Sequence, residues 1–395
     1  MGYYNFIFAL FLIGLQTLQA QDSKKKFTPT AELHGRIHYD FEFLHQKDGI
    51  APGEDYLFSG QQFRRVFLQA KGTIFDHIRY VAQFAFNGGE VAYRDLYIAF
   101  TDLPVIGGEL AFGSVTEPTG LEMETSSKYL VFFERSMMTH TQNFRWNSGF
   151  HYSNFGLLNG KLGLQLSYAF NGDHNEGFLD KQLDRGQHFV VRFTSLVYQK
   201  KQKNISVHLG THYENRKRDK EPASYTLSFR PENHMGETIK VVIDSLKTQQ
   251  DIGFELAGTI GSLTLQGEYE IAGYNTEENG TLNVNGYYAS ASYCLTGEHH
   301  QFKKGAETRL IPNKDFNFDK GGWGAVELAI RYSVLDYSDI VTTGYNDKVS
   351  NVTLGVNWYL NAHTRFVYNH VMSDLHSPEE NPLLQADLFR VLVDF

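Results

Sequence analysis

The chain has 395 residues, 36 Lys and Arg against 45 Asp and Glu, a formal net charge of −9 and one cysteine, Cys294. The acidic balance argues against nucleic acid as a partner, the lone cysteine excludes an intramolecular disulfide framework, and no stretch after residue 20 reaches the about 18 consecutive apolar residues of a spanning helix. With 36 Gly, 23 Tyr and 31 Phe but 9 Pro, the chain is aromatic-rich yet negative in mean hydropathy, as strand alternation would make a membrane barrel.

Residues 1–20, MGYYNFIFALFLIGLQTLQA, carry an apolar run from Phe6 to Leu15 and end in Ala20, the shape of a signal peptide whose core is too short to span a bilayer. A basic leader, "QDSKKK", follows, so the expected division is a signal peptide at 1–20, a periplasmic leader at 21–29 and a single β-barrel domain at 30–395.

"ELHGRIHYDFEF" (32–43) alternates strictly: Leu33, Ile37, Tyr39, Phe41 and Phe43 share one face of a strand, and Glu32, His34, Arg36, His38, Asp40 and Glu42 the other. The pattern returns in "IRYVAQFAFN" (78–87) and in "KLGLQLSYAFN" (161–171), where Leu162, Leu164, Leu166, Tyr168 and Phe170 oppose Lys161, Gln165 and Ser167. Further copies are "ISVHLGTHYE", "IGFELAGTI", "LTLQGEYEI", "VELAIRYSV" and the closing "FRVLVDF". Such segments of about ten residues, separated by alternately short and long polar stretches, have the length that a tilted membrane strand needs. The fold expected is all-β: a transmembrane antiparallel barrel of about 16 strands, closed because a lipid-bathed sheet tolerates no open edge.

Thr116 to Asn143 is the longest segment without clean alternation. Its "KYLVFFERS" is too aromatic for a disordered loop, and the expectation is that it folds into the lumen, where Lys128, Glu134 and Arg135 would narrow the pore. In "GEHHQFKKG" (297–305), Glu298, His299 and His300 could ligate a metal, but adjacent histidines need a rigidly held third ligand, so a solvated loop is expected and no metal.

"GYYASASYCLTGE" (286–298), "GGWGAVELAIRYSVLD" (321–336), "TLGVNWYLNAHTRFVYNHV" (353–371) and "DLFRVLVDF" resemble the C-terminal third of the phosphate-selective porin O/P family. "GRIHYDFEF", "FRRVFLQAKGTI" and "GELAFGSVTEPTGLEMETSSKYLVFFERS" resemble its opening strands and the long loop after them. The resemblance implies a sixteen-stranded, usually trimeric outer-membrane barrel that passes anions such as phosphate or polyphosphate, inserted by the barrel-assembly machinery through a C-terminal strand ending in Phe395. Lipid bilayer, lipopolysaccharide and small anionic solutes are then the partners, with no cofactor.

Parity with apolar neighbours, together with the loop, nominates Arg36, Arg65, Lys71, Arg79, Lys128, Arg135, Lys161, Arg192, Arg331 and Arg365 as pore-lining cations, since positive groups at a constriction replace part of an anion's hydration. The same parity places Asp40, Glu42, Asp95, Glu109, Glu255, Glu268, Glu270 and Glu327 inside, a mixed lumen with arginines on early strands and glutamates on later ones. His34, His38, His208 and His212 share that face, and Trp323, Trp358 and Tyr359 are expected in interfacial girdles. The alternatives are a non-selective diffusion porin and a plugged or receptor-type barrel. A barrel-embedded hydrolase has neither GxSxG nor HExxH to support it.

Overall fold

The computed structural model describes residues 27–46, 56–86, 89, 91–141, 146–170, 186–217, 223–340, 347–376 and 383–395. The signal-peptide shape and the "QDSKKK" leader lie outside them. In chain order the strands are β1 (Glu32–Gln46), β2 (Tyr56–Phe75), β3 (Ile78–Ala85), β4 (Ala92–Thr101), β5 (Glu109–Val115), β6 (Asn147–Gly156), β7 (Leu162–Phe170), β8 (Gln187–Lys200), β9 (Ile205–Lys217) and β10 (Ala223–Phe229). They continue as β11 (Ile239–Ile260), β12 (Leu263–Thr276), β13 (Thr281–Cys294), β14 (Phe302–Lys303), β15 (Ala306–Glu307), β16 (Ala325–Asp336), β17 (Lys348–Asn361), β18 (Thr364–His376) and β19 (Leu383–Asp394).

Seventeen of these form one sheet, in which β10 pairs only with the start of β11. The other sixteen make a closed antiparallel ring, sealed where β1 pairs with β19 from Arg36↔Asp394 to Gln46↔Leu384. Closure satisfies every strand edge within the wall, which a lipid environment requires.

The two faces of β1 follow its alternation. Ile37 and Phe43 are 41% and 50% exposed on the outside, whereas His38, Asp40 and Glu42 are fully buried on the inside. The one break in the pattern, Gly35, has a local cause: the Phe395 ring lies where a Cβ would stand, and the two residues exchange backbone hydrogen bonds of 2.9 and 3.2 Å. Tyr359 departs from expectation. It points inward and donates its hydroxyl to Glu327 at 2.9 Å, while Trp358 on the same strand donates its indole N–H to the Trp323 carbonyl at the outer surface.

The connections 76–77, 102–108, 157–161, 201–204, 261–262 and 362–363 are short and share one end of the barrel with the start of β1 and the end of β19. The connection 295–324, between β13 and β16, is longer but extends from the same end. Segments 116–141, 230–236 and 298–309 bond to the inward face through side chains or backbone. This inner packing explains why so many wall carboxylates and guanidinia are buried.

Candidate functional site

The segment 116–141 is held by wall residues from many strands. Glu268 of β12 accepts the N–H groups of Leu121 and Glu122, each at 2.8 Å, at the start of the helical turn Leu121–Glu124. Asn369 of β18 accepts the Phe133 N–H at 2.6 Å, and Arg331 of β16 donates to Glu122 and to the Glu134 carbonyl, each at 3.0 Å. Gly120 makes the Glu268 contact possible: its φ of 139° belongs to glycine, and a Cβ there would stand 2.4 Å from the Glu268 carboxylate. Gly120→Ala is expected to cost about 1–3 kcal/mol through strain and lost caps, read as faster proteolysis within 116–141 while the barrel stays intact.

Glu134 is the densest ionic node of this segment. Arg64, Arg65 and Arg390 each donate to its carboxylate at 3.0 Å, and Arg390 also grips Asp40 with two bonds of 2.7 Å. Burial alone would raise the acid's pKa, but the arginines outweigh it and hold Glu134 well below the usual carboxylate range. Two adjacent arginines reach one carboxylate because the β1–β2 ladder slips, His38 facing Arg65 and Tyr39 facing Phe63, which leaves Arg64 as the bulge residue. A second slip in the β3–β4 ladder, Ala82 facing Leu96 and Phe84 facing Tyr93, lies at Arg94, whose guanidinium sits 4.3 Å from the Trp146 ring centre.

The ten nominated cations divide by partner. Arg192 pairs with Glu255 at 2.6 and 2.7 Å, Arg331 with Glu122 and Glu232, Arg79 with both oxygens of Glu109, Lys71 with Glu32 at 3.5 Å and Lys128 with Asp394 at 3.5 Å. Arg365 donates to the Leu130 carbonyl and the Tyr359 hydroxyl, and Arg135 to the backbone carbonyls of Glu122 and Thr125. Arg36 has only the hydroxyls of Ser126 and Ser127 and the amide of Gln83 as bonded partners among the described residues.

Two of the cavities formed by the described residues lie inside the barrel. The first, about 360 Å³, is lined by Arg36, Arg65, Arg79 and Arg135 together with Asp95, Glu109 and Glu124. The second, about 920 Å³, lies toward the short-turn end and is lined by Lys161, Lys201, Lys303 and Lys304, by His208, His299 and His300, and by no carboxylate among the described residues. Phe155 and Lys304 line both. Lys71, Arg192 and Arg331 line neither of these two: Arg192 and Arg331 point inward but are paired with buried carboxylates, and Lys71 stays at the barrel's end beside Glu32. Lys128 and Arg365 line a separate recess of about 20 Å³.

Glu255 is paired with Arg192 and Glu268 is engaged by two backbone N–H groups, while buried oxygens of Asp251 and Glu270 on the same two strands have no hydrogen-bond partner among the described residues. Basic side chains missed by parity include Arg216, Arg390, Lys201, Lys303 and Lys304. The alternation in "FRVLVDF" could have supplied Arg390, but nothing in "HQFKKG" shows that a connection from the short-turn end turns inward. The histidines of the inner face are spread: His208 contacts Glu255 at 3.1 Å, His212 lies 3.8 Å from Glu270, and His38 stands beside Arg390 and Arg65.

A model of the family described as phosphate-selective porin O and P matches residues 32–389. The chain belongs to that family. It is therefore an outer-membrane channel protein, and Porin O of Pseudomonas aeruginosa is 24% identical over 380 residues, covering 87% of this chain and 82% of that one. Among solved structures, an anion-selective porin from Comamonas acidovorans superposes with a TM-score of 0.58 at 14% identity, covering 93% of this chain and all of that one. OprB of Pseudomonas putida does so with a TM-score of 0.60 at 8% identity, covering 92% and 94%. At these identities the likeness is one of barrel architecture.

Proposed function

We propose that this porin passes small anions, inorganic phosphate and short polyphosphate foremost, by passive diffusion along the two adjacent cavities. The observation that carries the reading is the lining of the larger cavity, four lysines and three histidines with no carboxylate among the described residues, adjacent across Lys304 to the cavity holding Arg36. Fixed positive charge in a narrow, partly desolvated passage compensates an anion's lost hydration and repels cations. Segment 116–141 is the constriction element in this reading, with Arg36 and Arg135 offered to the solute and Glu134 held back against the wall.

Residues 1–20 then serve as the signal peptide and 21–29 as the leader, with the short-turn end in the periplasm. Lipopolysaccharide would surround the opposite end, the barrel-assembly machinery would engage the last strand through Phe395, and three copies would associate, as in the trimer form solved for OmpT of Vibrio cholerae.

The test is the reversal potential of the refolded protein in a planar bilayer under a potassium chloride gradient, followed by added phosphate. The expected result is chloride preference with phosphate block, both reduced in Lys303→Gln/Lys304→Gln. Cation preference in the unmodified protein would overturn anion selectivity, and absence of conductance would make the barrel a plugged receptor.

A further inference from the structure

Where segment 295–324 meets β13 and β16 lies a buried group of side chains, of which His300 also borders the second cavity. Cys294 ends β13, Glu327 faces it across the ladder on β16, and His300 enters from the segment so that its Nε2 is 2.6 Å from Glu327 Oε1. One ligand atom each from Cys294, His300 and Glu327 falls within a 4.8 Å cluster, and all three residues are at most 1% exposed. The solvated loop expected here is thus replaced by a buried cluster, and the metal-ligand idea returns with different partners: His299 points to the second cavity, and Glu298 instead accepts the Asn313 N–H at 2.8 Å.

We propose that Cys294, His300 and Glu327 bind one divalent transition-metal ion of the zinc class, with Glu307 as the residue that orients His300. Thiolate, imidazole and carboxylate together suit Zn²⁺, which accepts mixed S, N and O donors in a tetrahedral shell. The outer partners already resemble those of a metal site. Glu307 pairs with His300 Nδ1, which leaves Nε2 as the donor atom, and the second oxygen of Glu327 accepts from Asn357 at 3.0 Å and Tyr359 at 2.9 Å.

Charge argues the same way. Two buried carboxylates flank a single imidazole beside a free buried thiol, and a divalent cation offsets that excess of negative charge. Binding displaces the thiol proton and the proton shared by His300 and Glu327, both released to solvent. The ion then ties 295–324 to β13 and β16, fixing the inward position of Lys303 and Lys304.

The test uses the full chain folded in detergent, stripped with a chelator and titrated with Co²⁺ alone. Because Cys294 is the only cysteine, a thiolate-to-cobalt charge-transfer band reports this residue. The expected result is a band saturating at one Co²⁺ per chain, displaced by Zn²⁺, lost in Cys294→Ser, and shifted to about 10–100-fold weaker affinity in Glu307→Gln. No band in the unmodified chain, which needs no variant to fold, would overturn the proposal. So would a band of unchanged affinity in a folded His300→Gln protein.

Discussion

Glu134→Gln is expected to loosen segment 116–141 from the wall and at the same time to raise anion preference. The carboxylate compensates Arg64, Arg65 and Arg390, and Arg390 and Arg65 are buried. Removing one partner from a buried ionic cluster leaves the others uncompensated, at a cost of about 3–5 kcal/mol. Asp40 still holds Arg390, so the loss should concentrate on Arg64 and Arg65. Denaturant unfolding in detergent and proteolysis within 116–141 measure the loosening.

Selectivity supplies an independent readout, because Arg65 lines the first cavity and would face solute without its neutralising partner. The reversal potential should move in the anionic direction. An unchanged potential in a folded Glu134→Gln protein would mean that this node lies off the solute path. The pH dependence has a definite sign: a carboxyl whose folded pKa is depressed stabilises fully above its unfolded value of about 4.3. With Glu134 held well below that, the attachment should survive mild acid and fail only as the pH falls through the folded value.

Ile330→Arg is expected to destabilise the barrel by about 2–4 kcal/mol, the cost of a guanidinium on the lipid face near the bilayer midplane. Ile330 lies in the middle of β16, is 48% exposed on the outer face, and is flanked across the ladders by Ala291 and Leu354. Leu164 also faces outward but stands near the short-turn end of β7, and Leu164→Arg should cost only about 0–1 kcal/mol because its side chain reaches the interface. Equal effects at the two positions, measured by reversible unfolding in lipid vesicles, would contradict this placement of the apolar band.

Much of the wall was legible from residue types alone. A side-chain period of two has only two solutions for a strand, so the alternation from Leu33 to Phe43 already decided that Ile37 and Phe43 face out and that His38, Asp40 and Glu42 face in. Strand length and alternation pointed to a barrel wall that crosses a membrane by strands, and the motifs from 286 onward pointed to the family. Which inward cations remain available to a solute was not legible, because that depends on partners far away in the chain. Arg192 meets Glu255, Arg331 meets Glu122 and Glu232, and Arg65 meets Glu134 only after the ring closes and 116–141 packs inside it. Bulges escaped the parity argument for a related reason: one extra residue in a ladder changes which face follows, and at Arg64 the slip becomes visible only against the partner strand. The inward turn of "HHQFKKG" depends on the same tertiary closure, since a polar connection is stable inside only where Glu327, Arg192 and Thr125 satisfy its buried groups.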